Sequence, residues 1–299
     1  MRYNVVEKNG FTIFYREAGD PNKPAFLLLH GFPSTSHYFR KLMPILAEHF
    51  HVIAPDLPGF GQTIEPESFI YSFDNLVNFT EAFTEELGLK HFYLYVFDYS
   101  VPIGFEFATR HPDAVDGIVV QNGTIYVEGL GELFTELKDY WANPTPAKRR
   151  RYENAYSDNI IRHYYEIGEK PGSISPDGWS LDEFYSLRHR NFAHAQNDLI
   201  FDFRSNLMNY QRMQDYVRHY QPRVLAIFGK NDPAYTMPGA YALAKDDKNA
   251  QVFPIDGGHF ALEAHSPEIG EIIIREFVGP EAGDAVHRTA LALGEAAES

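Results

Sequence analysis

Cysteine is absent from the 299-residue chain, and tryptophan occurs only twice. Without thiols, neither disulfides nor thiolate metal sites can form. Long apolar runs are also missing: nothing approaches the roughly 18 consecutive apolar residues of a membrane-spanning helix. Residues 1–10 carry Arg2, Glu7 and Lys8 where a secretory signal would have its apolar centre. A soluble, cytoplasmic protein is therefore expected, in which the Asn-X-Ser/Thr triplets at Asn78 and Asn122 are coincidental. Positive charge is scarce too, with 26 Lys and Arg against 41 Asp and Glu and a net charge of -15. That balance repels nucleic acid and anionic membranes, so neither is expected as a partner. No glycine-rich phosphate loop or dinucleotide fingerprint stands between a strand and a helix. His163, His189 and His194 lack metal-ligand spacing, and "HYYE" (163–166) does not supply it. Neither a cofactor nor a metal is expected.

What is present fits one large buried core, since 44% of the residues are hydrophobic. Short β-branched and apolar runs at 11–19, 25–31, 51–56, 91–97 and 115–123 alternate with amphipathic stretches at 36–49, 73–88 and 100–110. Strands alternating with helices predict an α/β fold, a mostly parallel sheet covered by helices on both faces. The turn signal "KNG" (8–10) predicts an antiparallel pair at one edge. From 125 to 220 the pattern turns aromatic, charged and helical, with breaks at Pro144, Pro146, Pro171 and Pro176. Strand-like sequence resumes at 223–229 and 250–258, followed by a helix near 266–277. The expected organisation is a core of 1–124 and 221–280, a helical cap inserted at 125–220, and a C-terminal tail at 281–299.

In open parallel sheets, ligands bind beyond the carboxyl ends of the strands. Four such ends carry polar residues: "HGFP" (30–33), "FDYS" (97–100), "GKNDPA" (229–234) and "DGGHFALE" (256–263). A nucleophile on a sharp strand-to-helix turn needs small neighbours two residues away on either side. Around Ser100 those neighbours are Asp98 and Pro102, which do not fit; around Asp98 they are Val96 and Ser100, which fit better. With "DLPGFG" (56–61) and "DYSVPIG" (98–104), these motifs resemble the α/β-hydrolase superfamily and, within it, the epoxide hydrolase and haloalkane dehalogenase branch. The resemblance spans about residues 10–278, in the order nucleophile, acid, histidine. It departs from the branch at Val96 and Ser100, usually small residues there, and at Tyr99, most often tryptophan.

The resemblance implies Asp98 as nucleophile, His259 as the base that activates water and Asp232 as the acid that orients His259. A carboxylate has a reference pKa of about 3.9 and needs no base to attack an sp3 carbon at neutral pH. The resulting ester is cleaved by water at the enzyme's own carbonyl, with the backbone N–H groups of Phe32 and Tyr99 as oxyanion donors. Epoxide opening requires a proton on the leaving oxygen, and by similarity of placement Tyr210 and Tyr140 are the expected donors. Phe32, Tyr99 and Trp141 are expected to touch a small apolar substrate. His30 is expected to shape the loop behind the oxyanion site. Halide displacement by the same triad, a non-catalytic ligand-binding role, and an esterase built on Ser100 remain alternatives. In a segment this aromatic, a tyrosine at helical spacing is more often a packed wall than a catalyst.

Overall fold

The computed structural model describes residues 1–155, 160–188 and 192–283. Eight strands are β1 (Arg2–Lys8), β2 (Phe11–Ala18), β3 (Ala25–Leu29), β4 (His51–Pro55), β5 (Phe92–Phe97), β6 (Val115–Gln121), β7 (Val224–Gly229) and β8 (Gln251–Ile255). They form one sheet in the order β1-β2-β4-β3-β5-β6-β7-β8. The β1–β2 and β2–β4 pairs are antiparallel, and the remaining pairs are parallel. The central strands read as continuous apolar runs because both faces are covered. Side chains alternate across the sheet. Leu27, Leu29, Leu94, Val96, Ile118 and Val120 pack on one face, whereas Phe26, Leu28, Tyr95, Phe97 and Val119 pack on the other.

The helices α1 (Leu42–Leu46), α2 (Phe73–Glu86) and α3 (Ser100–Arg110) belong to the first half of the chain. Ser72 caps α2 by accepting from the N–H of Asn75, as its sequence predicts. Between β6 and β7 lie α4 (Phe134–Ala142), α5 (Pro146–Ala155), α6 (Ile160–Glu166), α7 (Pro176–Arg188) and α8 (Phe192–Tyr220). Two of the proline breaks mark helix starts: Pro146 and Pro176 open α5 and α7, where a missing N–H costs nothing. After β7 and β8 come α9 (Met237–Asp246) and α10 (Ala261–Phe277) respectively. The last helix begins five residues earlier than expected from the sequence. Pro267 lies inside it at a kink, with His265 at non-helical φ -119°, so the proline marks a bend and not a start. Residues 284–299, most of the expected tail, lie outside the described residues.

The strand order positions the site. From β3 the chain moves outward to β4, then returns to the opposite side of β3 as β5. The loops after β3 and β5 therefore diverge and leave a crevice at the carboxyl ends of these two strands. The loops after β7 and β8 approach it from the other side.

Candidate active site

Asp98 stands between β5 and α3 with φ +54°, a left-handed conformation that costs a non-glycine residue on the order of 1–3 kcal/mol. Glycines create the room for this corner. A Cβ on Gly31 would lie 2.5 Å from the Cβ of Asp98, and one on Gly104 would lie 2.4 Å from Val96. Gly104 thus explains how a valine is accommodated two residues before the turn. Ser100 braces the same corner: its buried Oγ accepts from the N–H of Phe97 at 2.7 Å and lies 2.6 Å from the carbonyl oxygen of Leu29. Its hydrogen bonds go to backbone, which argues against a nucleophilic serine.

The Asp98 carboxylate is buried and accepts from two backbone amides, Phe32 at 2.6 Å on Oδ1 and Tyr99 at the start of α3. It also accepts from the hydroxyl of Tyr235. Burial pushes its pKa up to about 6, against the opposing pull of His259, these amides and Tyr235. Without those donors and the positive end of α3, burial would drive the carboxyl further toward its neutral form. The ionised carboxylate thus predominates at neutral pH and is lost as pH falls through about 6.

His259, after β8, points Nδ1 at Oδ2 of Asp232 at 2.7 Å and Nε2 at Oδ2 of Asp98 at 3.8 Å. Burial alone would lower its pKa, yet the charge and hydrogen bond of Asp232, with the charge of Asp98, outweigh burial and raise it. Asp232 is held from three sides, accepting from His259, from the N–H of Ala234 at 2.7 Å and from Nδ2 of Asn122 at 2.9 Å. Asn122 has no accessible surface and also pins β7 by accepting from the N–H of Gly229. The sequence offered it only as a chance sequon. His30 donates through Nδ1 to Gly31 O and accepts through Nε2 from the N–H of Leu57. Burial lowers its pKa to about 4, so it ties the β3 loop to the β4 loop as a neutral ring.

These groups open onto a cavity of about 250 Å³. Phe32, Asp98, Tyr99, Phe134, Tyr152, Tyr164, Phe203, Tyr235 and His259 are among its lining, with Leu133, Leu137, Ile160 and Ile200. Of the residues expected at the substrate, Phe32 and Tyr99 line it and Trp141, Tyr140 and Tyr210 do not. Trp141 donates its indole N–H to Ile200 O at 2.8 Å and stacks on Phe203. Tyr140 is buried against Tyr152 and Phe201. The hydroxyl of Tyr210 is buried with no hydrogen-bond partner among the described residues.

Two other tyrosines, which the sequence reading passed over, stand where those were expected. Tyr164 on α6 packs edge-on against Phe32, and burial followed by the charge of Asp98 pushes its pKa up to about 12. Its neighbour Tyr165 fixes α6 by stacking on Phe260 and hydrogen-bonding Asp182, which also accepts from Thr35 at 2.7 Å. Tyr235 lies three residues after Asp232, its ring stacked on His259 at 5.8 Å and edge-on to Phe134. Its only sequence signal is that short spacing from Asp232. Among the described residues no cluster of three potential metal ligands occurs, and His189 lies outside them. No helix among the described residues is long and apolar enough to cross a membrane.

As a chemical device, the site is a buried carboxylate that accepts from amide donors, beside an imidazole that a second carboxylate orients. Comparison with known proteins gives the family. The family model described as the alpha/beta hydrolase fold matches residues 24–266. An uncharacterized hydrolase of Saccharomyces cerevisiae is 38% identical over 280 residues, covering 92% of this chain and 96% of its own. A haloalkane dehalogenase of Bradyrhizobium diazoefficiens is 39% identical over 109 residues, a match that takes in 36% of this chain and only 35% of the dehalogenase. Among solved structures, an epoxide hydrolase named CorEH superposes with a TM-score of 0.75 at 19% identity, over 92% of this chain and 98% of its own, a likeness of fold. With the sheet order, the strand-end motifs and a family match across most of its length, the chain belongs to the α/β-hydrolase fold family.

Proposed function

We propose that the protein is a cofactor-independent hydrolase that opens small apolar epoxides through an ester on Asp98. The observation that carries this reading is the Asp98 carboxylate itself. One oxygen accepts a backbone N–H at 2.6 Å while the other lies 3.8 Å from the ring of a histidine already oriented by Asp232.

In the first half-reaction Oδ2 of Asp98 attacks a ring carbon, the far C–O bond breaks, and its electron pair goes to the oxygen, which takes a proton from a phenol. Oδ1 stays on its amide donors and becomes the carbonyl oxygen of the ester. In the second half-reaction water gives a proton to Nε2 of His259 as it attacks the Asp98 carbonyl carbon. Negative charge then develops on Oδ1, where the amide of Phe32 already points and the Tyr99 amide donates to the same carboxylate, so little reorganisation is needed as it forms. Collapse of the intermediate expels the diol oxygen, which recovers the proton from His259.

Phenols favour an epoxide over a halide as leaving group. An alkoxide must be protonated, whereas a halide ion needs only N–H donors. The cavity lining among the described residues includes four tyrosines and no tryptophan or asparagine side chain. Halide displacement is the second reading, favoured by the partial likeness to a haloalkane dehalogenase. Parallel assays separate the two: a terminal epoxide such as styrene oxide is expected to yield diol at a rate at least about 100-fold above halide release from 1-bromohexane, the contribution expected of a general acid that only the epoxide uses. Halide release at the faster rate would reverse the assignment.

A further inference from the structure

Two tyrosines face Asp98, and they are not equivalent. Tyr164 comes from α6 and interacts with Asp98 through its charge, whereas the hydroxyl of Tyr235 is hydrogen-bonded to the carboxylate. Tyr235 also belongs to the scaffold that carries the triad. Its loop is tied to the strand-like segment after β6 by a bridge between Leu130 and Tyr235 and by hydrogen bonds from Gly131 N to Ala234 O and from Thr236 N to Gly129 O. A Cβ on Gly131 would come within 2.0 Å of Pro233 O, so glycine permits this close approach. The ring is 2% exposed and held between His259 and Phe134. Such a hydroxyl has little freedom except rotation of its proton about the C–O bond.

Resting on the proposed alkyl-enzyme route, we infer that Tyr235 is the acid that protonates the departing epoxide oxygen, and that its hydrogen bond to Asp98 returns the proton at the end of the cycle. In-line attack places the leaving oxygen roughly 4.5 Å from the attacking carboxylate oxygen, with the carbon between them. A hydroxyl beside that line, hydrogen-bonded to the carboxylate, reaches the leaving oxygen at about 2.8 Å by turning its proton.

The steps balance. Carboxylate, phenol and epoxide give the hydroxyalkyl ester and the Tyr235 phenolate. An alkoxide is a far stronger base than a phenolate, so this transfer is downhill even for a phenol that burial makes reluctant to ionise. Water then cleaves the ester to diol and the carboxylic acid of Asp98, with His259 carrying a proton only in passage. Finally Asp98 gives its proton across the same hydrogen bond to the phenolate, restoring both groups. No other proton source is required. Tyr164, which reaches the same cavity from α6, orients the epoxide without closing this circuit.

The test uses the full-length protein carrying His259→Gln, in which the ester accumulates and its formation is followed by intact mass after rapid mixing with styrene oxide. Adding Tyr235→Phe, which keeps the ring and its stacking, is expected to slow ester formation about 100-fold, the contribution typical of a positioned general acid. Adding Tyr164→Phe instead is expected to slow it by less than tenfold. Equal rates with and without the Tyr235 hydroxyl overturn the inference, as does a larger loss at Tyr164. Site-specific 3-fluorotyrosine at 235 preserves the shape should phenylalanine not fold. It is expected to move the alkaline fall-off of ester formation to lower pH, and no movement also counts against the inference. Absence of any ester in the His259→Gln protein itself would refute the covalent route, a failure distinct from failure at Tyr235.

Discussion

Replacing His259 by glutamine is expected to turn a catalyst into a stoichiometric trap. Attack by Asp98 needs no base, because the carboxylate is already ionised above about pH 6. Ester cleavage does need one, and a positioned general base is worth roughly 10²–10⁴-fold in rate. Steady-state turnover should fall by about that factor while ester formation survives. The tryptic peptide containing Asp98 should gain the mass of one epoxide. The charge of His259 helps to keep Asp98 ionised, so its removal pushes the Asp98 pKa upward. Ester formation in the variant should therefore need a higher pH than in the parent protein. Turnover at the parent rate, or a folded variant that forms no adduct on Asp98, would contradict the assigned roles.

Asp98→Ala is expected to have a larger effect. It removes the atom that bonds to substrate carbon, and deleting the nucleophile of a concerted site has cost on the order of 10⁶-fold in kcat elsewhere. Diol formation should fall to the uncatalysed rate. Stability should change little. Alanine loses the amide and hydroxyl contacts, but it also releases a buried charge whose desolvation is the largest influence on the group. The melting temperature is expected to stay within a few degrees of the parent value, and near-UV circular dichroism should be unchanged. Residual activity above about 1% of the parent, removed by a further Ser100→Ala change, would transfer the chemistry to the serine despite its backbone hydrogen bonds.

The sequence made the strand ends legible because their chemistry is local. Asp98, Asp232 and His259 each follow a short apolar run and sit in turn motifs whose glycines and proline announce a corner. The alternation of runs gave the sheet for the same reason, and "KNG" gave its antiparallel edge. Helix faces in the segment between β6 and β7 were not legible. Tyr140 and Tyr210 are the expected donors only by similarity of placement to epoxide hydrolases, yet α4 turns Tyr140 onto Tyr152 and Phe201, and α8 buries Tyr210 away from the cavity lining. The segment is rich in aromatics on several helix faces, so periodicity cannot tell the cavity side from the packed side. Tyr164 and Tyr235 gained their positions from contacts distant in sequence: Tyr165 on Phe260 for the first, Leu130 beside the loop for the second. Asn122 was hidden differently, since a strand-end asparagine announces neither the β7 amide nor the Asp232 carboxylate it will hold.

Everything rests on substrate carbon becoming bonded to a carboxylate oxygen of the protein before water takes part. A single turnover in ¹⁸O-labelled water, with enzyme in excess over epoxide, measures that order. The diol should emerge with unlabelled oxygen while one ¹⁸O appears in the peptide bearing Asp98, and only later turnovers should carry label into product. Label in the diol of the first turnover, with none in the protein, would mean that water attacks the epoxide directly.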